Sequence, residues 1–185
     1  MKTRTLLALS FVLLLIVSTQ AAAFQKRDHL TPQEVDLVKE AQILDKRIDV
    51  FIRAAERRVI VINGTAAANA KQLKKDAERW GELPAGSRFE LVGDIAHIFD
   101  EAITNIDDVN SRDERNPLIP KALRKLATSV SSIMEQLKPL RSEAKTESEI
   151  ASMELLNEDA QSILQAVNKL PPEVDPKKAK KNEKK

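Results

Sequence analysis

The sequence predicts an all-α protein, and three observations support that prediction. Apolar residues recur at helical spacing in every long segment after residue 24, and no segment alternates as a strand would. Helix-favouring Ala, Leu, Glu, Lys and Gln are plentiful, whereas glycine is rare and tyrosine is absent. Three apolar-periodic runs begin with a Ser or Thr followed three positions later by Glu. We expect an antiparallel four-helix-type bundle over residues 31–171, built of four long helices plus one short or fused helical segment.

Residues 1–23 have the pattern of an export signal peptide. A short basic start precedes an apolar run over residues 6–17, and small residues follow it. The apolar run is shorter than the ~20 residues of a membrane-spanning helix. We therefore expect cleavage near Ala23 and export to the periplasm or the cell exterior, with an uncleaved N-terminal anchor as the alternative. Residues 24–30 are then an N-terminal linker.

The motif TPQE at residues 31–34 predicts the start of the first helix, because it combines a capping box with a proline in the first turn. The apolar residues that follow step by three and four, which predicts one helix from Thr31 to about Ile62. They are Leu37, Ala41, Leu44, Ile48, Phe51, Ala55 and Ile62, and Arg58 interrupts the series. The Asn-Gly pair at 63–64 is a turn signal, so we expect a break or kink there. One continuous helix to about Trp80 is the alternative.

Three further long helices follow. Ser87 and Thr146 each begin a capping box, and Pro120 can open the helix between them. The three apolar series are Val92, Ile95, Phe99, Ala102, Ile106 and Val109; Ile119, Leu123, Leu126, Val130, Ile133, Leu137 and Leu140; and Met153, Leu156, Ala160, Ile163, Val167 and Leu170. This spacing is typical of helices that pack at shallow angles. Flanking apolar residues widen the stripes, which favours a globular bundle over an extended rod.

The stretch DIAHIFDE places Asp94, His97 and Glu101 on one face of the first of these three helices. Three interpretations exist: a metal site, an acid–base site, or a solvated acidic flank. The three residues lie roughly 140° from the centre of the apolar stripe of this helix, so the solvated flank is favoured. Binding of a single divalent ion at this surface stays open as an alternative.

Arg53, Arg57 and Arg58 form a basic patch on the first helix. One interpretation is contact with an anion. The favoured interpretation is pairing of the arginines with Asp49, Glu56 and acidic groups on neighbouring helices, because charged side chains that leave water need partners. Trp80 has two interpretations, an exposed contact residue or, as we expect, a residue that packs against the end of the bundle.

The chain contains no cysteine, which excludes several function classes. Thiol nucleophiles, cysteine-ligated zinc, iron–sulfur clusters and covalently attached c-type haem all require that residue. Disulfides cannot stabilise the exported chain, so its stability must come from its apolar core. We expect no cofactor, no metal and no enzymatic activity.

The C-terminal residues 172–185 differ in composition from the rest of the chain. Prolines end the last helix, and the final nine residues, KKAKKNEKK, hold six lysines and one glutamate. We expect a disordered tail that attracts polyanions through its lysines, without sequence selectivity. The residues expected to contact a polyanion are Lys177, Lys178, Lys180, Lys181, Lys184 and Lys185. Without the signal peptide and these nine residues the body has 22 basic and 27 acidic residues.

These features predict an exported, non-catalytic helical-bundle protein that acts as an interaction module of the cell envelope or the secreted fraction. Its main partner would be a protein that the sequence does not specify. The tail would add weak contact with an anionic membrane surface, an envelope polymer or nucleic acid. We also expect the apolar residues to be used up in contacts between the helices, which leaves no buried polar centre. The alternative function is a small-ligand- or metal-binding helical bundle.

Overall fold

The computed structural model describes residues 27–171, and this part of the chain is all-helical. The helices are α1 (Pro32–Glu40), α2 (Leu44–Ile62), α3 (Ala70–Trp80), α4 (Arg88–Arg112), α5 (Leu118–Leu137) and α6 (Glu147–Asn168), with a 3₁₀ helix (Lys138–Ser142) between α5 and α6. The all-α prediction is confirmed. The predicted signal peptide, the first residues of the linker and the lysine tail lie outside the described residues.

Three of the helix starts have the predicted capping boxes. Thr31, Ser87 and Thr146 each accept a hydrogen bond from the backbone N–H three residues on, at 3.3 Å. Each returning Glu carboxylate accepts from the backbone N–H of its cap residue at 2.7–2.9 Å. Helix α5 begins at Leu118, so Pro120 lies in its first turn, where proline is tolerated.

The prediction of one helix from Thr31 to Ile62 is wrong, because three non-helical residues, 41–43, separate α1 from α2. Ala41 ends α1 with φ −78° and ψ 80°, outside the helical region. Two side chains bind carbonyl oxygens at this break: Arg47 Nε donates to Ala41 O at 3.0 Å, and Gln42 Nε2 donates to Lys39 O at 2.6 Å. The apolar spacing continues in phase across the break, so the pattern alone did not reveal it.

The predicted break at Gly64 is confirmed. Helix α2 ends at Ile62, and Gly64 adopts φ +64°, a conformation that a glycine reaches without the steric penalty of a Cβ. Turns over residues 66–69 then lead into the short α3. A continuous helix to Trp80 is therefore excluded.

The four long helices share one apolar core. Helix α4 packs on α2 and α6, and α5 also packs on α2 and α6. Each long helix contributes side chains that are fully buried, among them Phe51, Phe99, Leu126 and Leu156. The two short helices lie at one side, where α1 contacts both α2 and α3. Among the described residues no helix is long and apolar enough to cross a membrane.

Candidate functional site

A cluster of buried charges joins the N-terminal segment to α1, α2 and α4. Glu34 on α1 is 0% exposed, and Arg57 and Arg58 on α2 are each 1% exposed. The Glu34 carboxylate accepts hydrogen bonds from Arg57 Nε at 3.2 Å and from Arg58 Nη1 and Nη2 at 2.9 and 2.8 Å. The expectation that no buried polar centre exists is therefore wrong.

Glu34 has two roles at once. Its Oε2 atom accepts a hydrogen bond from the backbone N–H of Thr31 at 2.9 Å, which completes the capping box of α1. The same oxygen accepts from Arg58. Sequence analysis identified only the capping role. One signal for the second role was present, because Arg58 stands at a core position of the apolar series, between Ala55 and Ile62.

Arg57 links α2 to the end of α3. Its Nη2 atom donates to the carbonyl oxygens of Trp80 at 3.1 Å, Gly81 at 3.2 Å and Glu82. The guanidinium carbon also lies 5.7 Å from the centre of the Trp80 ring, within the range of a cation–π contact. Burial lowers the pKa of Arg57, and the Glu34 carboxylate offsets part of that effect. An arginine starts from so high a pKa that it stays charged here.

The second carboxylate of the cluster is Asp94 on α4, which is 5% exposed. Arg27 holds it in a two-point contact, through Nη2 to Oδ2 at 2.7 Å and Nε to Oδ1 at 3.3 Å. Arg58 Nε has no hydrogen-bond partner in the described part of the chain, and it lies 3.7 Å from Asp94 Oδ2. Arg58 therefore stands between the carboxylates of α1 and α4.

The predicted solvated flank is wrong for Asp94 and correct for His97. Asp94 is covered because residues 27–30 lie across this face of α4, whereas His97 is exposed. Glu101 is partly exposed and binds His29, with 2.8 Å between Oε2 and Nε2. The three residues do lie on the face of α4 opposite its apolar stripe, as the helical spacing predicted. That spacing could not reveal that the N-terminal segment covers part of this polar face.

The pairing interpretation of the basic patch is confirmed in its main point. Arg53 binds Glu56 at 3.2 Å and Asp76 at 2.6 Å, while Arg57 and Arg58 bind Glu34. Asp49 was expected as a partner of these arginines. It pairs instead with Lys125 of α5 at 2.7 Å.

The cluster contains three guanidinium groups (Arg27, Arg57 and Arg58) and two carboxylates (Glu34 and Asp94). Carbonyl oxygens accept several of the remaining guanidinium N–H bonds, including that of His29, which accepts from Arg58 Nη2 at 2.5 Å. Every charged group already has a fixed partner, so the arrangement is suited to holding chain segments together rather than to proton transfer. Removal of one member would leave an uncompensated buried charge, which costs about 3–5 kcal/mol.

A separate groove lies at the break between α1 and α2. It has a volume of about 520 Å³ and is lined by Glu40, Ala41, Gln42, Ile43, Lys46, Asp49, Val50, Arg79 and Trp80. Ile43 is 56% exposed, compared with 43% for Ile150 and 37% for Leu155. Trp80 is only 9% exposed, so the packing interpretation of this residue is confirmed.

Comparison with known protein families, curated proteins and solved structures found no match for this chain. The fold and the two features above define it as an all-helical protein with a buried ion-pair cluster beside an exposed groove.

We predict that Glu34→Gln lowers the free energy of unfolding by about 3–5 kcal/mol, because the two buried arginines lose their counter-charge. Chemical denaturation followed by circular dichroism measures this. The matched control is Glu149→Gln, which changes the equivalent residue of the exposed capping box of α6. A much smaller loss is expected for the control. Equal losses for the two variants would mean that Glu34 matters only as a cap.

Proposed function

We propose that this chain is an exported, non-catalytic protein whose helical body binds another protein. Export to the periplasm or the cell exterior rests on the N-terminal sequence pattern described above. The single observation that supports the binding role best is Ile43, a large apolar side chain exposed beside a groove that contains tryptophan and arginine.

Within this proposal the four long helices form a four-helix-type bundle that is not antiparallel throughout. The support is the pattern of contacts. In the order α2, α4, α6, α5 and back to α2, each helix packs most extensively on the two beside it, and α4 and α5 also touch across the bundle.

Arg47 and Arg58 of α2 contact Asn105 and Asp94 of α4 in opposite order, so these helices run antiparallel. Asp45 and Asp49 contact Lys121 and Lys125 of α5 in the same order, so α2 and α5 run parallel. Gly93 of α4 lies beside Ser152 of α6, and Asp100 lies near Asp159, so α4 and α6 also run in the same direction. Such a body is a rigid support on which a contact surface can be placed.

The stability of the fold does not account for an isoleucine at position 43. It occupies the N-cap position of α2, where its side chain makes no capping hydrogen bond. Isoleucine is among the poorest residues at this position, and Ser, Thr, Asp or Asn would stabilise the helix by about 1 kcal/mol. More than half of the surface of this residue is also exposed to water, so it gains little from burial. A residue that weakens its own helix while remaining exposed points to a contact outside the chain.

The groove around Ile43 has the composition of a contact surface. Val50 and Trp80 form an apolar floor, and Glu40, Lys46 and Arg79 form a charged rim. Protein interfaces commonly have an apolar centre within a polar rim, and tryptophan and arginine are frequent among the residues that dominate binding. The partner is therefore a protein segment that presents an apolar side chain flanked by charges of both signs.

The lysine tail adds a second, weaker contact in this proposal. The support is its composition, with six lysines among residues 177–185 and no aromatic residue. Lysines near an anionic membrane surface contribute about 1 kcal/mol each, and salt screens the attraction. The tail thus concentrates the protein near polyanionic material of the envelope while the groove provides selectivity.

We expect Ile43→Ser to increase thermal stability slightly and to abolish partner binding, because serine can cap α2 but leaves no apolar contact. The chain has no cysteine, so a photo-crosslinker can be attached at Gln42→Cys alone. A discrete crosslinked protein from envelope extract should be lost in the Ile43→Ser background. Ile150→Ser, at another exposed isoleucine, is the control. Crosslinking that survives Ile43→Ser would exclude this groove.

Deletion of residues 177–185 is expected to weaken binding of the mature chain to vesicles that contain anionic lipid, and the difference should shrink as salt increases. Vesicle co-sedimentation at low and physiological salt measures it. A variant with all six lysines replaced by arginine keeps the charge and should bind as the unaltered chain does. Unchanged binding after the deletion would refute the role of the tail.

A further inference from the structure

Two carboxylates face each other where α4 packs on α6. Gly93 of α4 lies beside Ser152 of α6, since a Cβ at Gly93 would be 3.7 Å from the Ser152 hydroxyl oxygen. Asp100 and Asp159 each lie seven residues further along their helices. Seven residues are close to two helical turns, so two helices that run in the same direction keep this register. Asp100 therefore lies across from Asp159, and its negative charge acts on that residue.

Asp159 is the unusual member of this pair, because one of its oxygens is buried without a partner. Its Oδ2 atom is closed off from water and accepts no hydrogen bond from the described part of the chain. Buried polar atoms in proteins nearly always have a hydrogen-bond partner. An ionised carboxylate can only accept hydrogen bonds, whereas a protonated carboxyl group can also donate one. Protonation would allow Asp159 to donate a hydrogen bond to a second carboxylate.

The helices around this pair provide no permanent positive charge to balance it. Helix α4 has arginine only at its first and last residues, and α6 has neither lysine nor arginine. Helix α5 also packs on α6, but its three basic side chains bind elsewhere. Lys121 and Lys125 bind carboxylates of α2, and Arg124 donates to the carbonyl oxygen of Pro171.

The other titratable neighbours are two acids and one histidine. Glu158 precedes Asp159 and adds a further negative charge. Glu101, next to Asp100, is bound by the N-terminal segment. His97 is exposed and lies one turn before Asp100 on α4, so it can gain a positive charge near the pair. These acids do not form a metal site, because no three His, Asp or Glu side chains in the described chain are placed to hold a metal ion.

We propose that Asp100 and Asp159 share one proton in mildly acidic solution and that this proton strengthens the contact between α4 and α6. In neutral solution both carboxylates are ionised and repel each other, which favours separation of the two helices. In acid, a hydrogen bond from the protonated group to the other carboxylate replaces that repulsion. The fold thereby carries a pH-sensitive contact between two of its long helices.

The pKa of Asp159 sets the pH range in which this contact changes. Burial, followed by the negative charges of Asp100 and Glu158, raises that pKa to about 6. The ordinary pKa of an aspartate is about 3.9. Between these two values the folded chain binds a proton that the unfolded chain releases. The stability that comes from this pair therefore increases as the pH falls from about 7 to about 4.

NMR titration of the side-chain carboxyl groups of the mature chain tests the proposal directly. We expect Asp159 to titrate with a midpoint of about 6. Asp100→Asn should lower this midpoint, because it removes the negative charge that faces Asp159. A midpoint at the ordinary value for an aspartate would overturn the proposal, and so would a midpoint that Asp100→Asn leaves unchanged.

Chemical denaturation of Asp159→Asn provides a second test, because asparagine resembles the protonated side chain. At about pH 7.5 we expect the folded-to-unfolded ratio to increase roughly tenfold to a hundredfold, and at about pH 4.5 we expect almost no change. The upper value corresponds to about two pKa units, and water screening at the partly exposed Asp159 reduces it.

Glu158→Gln is the matched control, since it removes the same charge from the exposed neighbouring residue and should change stability much less. His97→Gln should leave the pH dependence in place. Equal effects of Asp159→Asn and Glu158→Gln at neutral pH would contradict the proposal. Loss of the pH dependence in His97→Gln would also contradict it, because the histidine would then be the titrating group. These measurements involve no protein partner, so their outcome is independent of the proposed interaction function.

Discussion

The contact on which the placement of the N-terminal segment and the two short helices depends is the one between Glu34 and the arginine pair Arg57–Arg58. Burying charges is costly, and a buried charge persists in a fold only when it has a partner of opposite sign and hydrogen bonds to its remaining atoms. Each arginine here reaches a different chain segment, through the carbonyl oxygens that it contacts. The hydrogen bonds that the two buried arginines require therefore fix the positions of the N-terminal segment, α1 and the end of α3.

This constraint explains why the short helices are present at all. Helix α1 has nine residues and only two of them are buried, Glu34 and Leu37. A helix of that length is marginal in water and buries little apolar surface of its own. Its position depends on the carboxylate that it inserts between the arginines. The four long helices have no such dependence, because they hold one another through a continuous apolar core.

Much of the fold could be predicted from the sequence because it follows from local rules. The capping boxes at Thr31, Ser87 and Thr146, the turn at Gly64 and the apolar stripes all formed as expected. The break after Glu40 was missed because the apolar phase runs through it unchanged. The buried cluster was missed because Glu34 already had a role as a capping residue. The contact between His29 and Glu101 joins residues 72 positions apart, which no local pattern encodes.

Native-state hydrogen exchange of the full chain tests most directly whether the cluster holds α1 in place. If it does, the backbone amides of residues 35–40 exchange only through an opening that also breaks the arginine contacts, so their protection approaches that of α2. A nine-residue helix that is held by nothing more than its cap would exchange close to the rate of an unfolded peptide. Protection of α1 comparable to that of α2 is the result this account predicts. Rapid exchange throughout α1, while α2, α4, α5 and α6 remain protected, would contradict it.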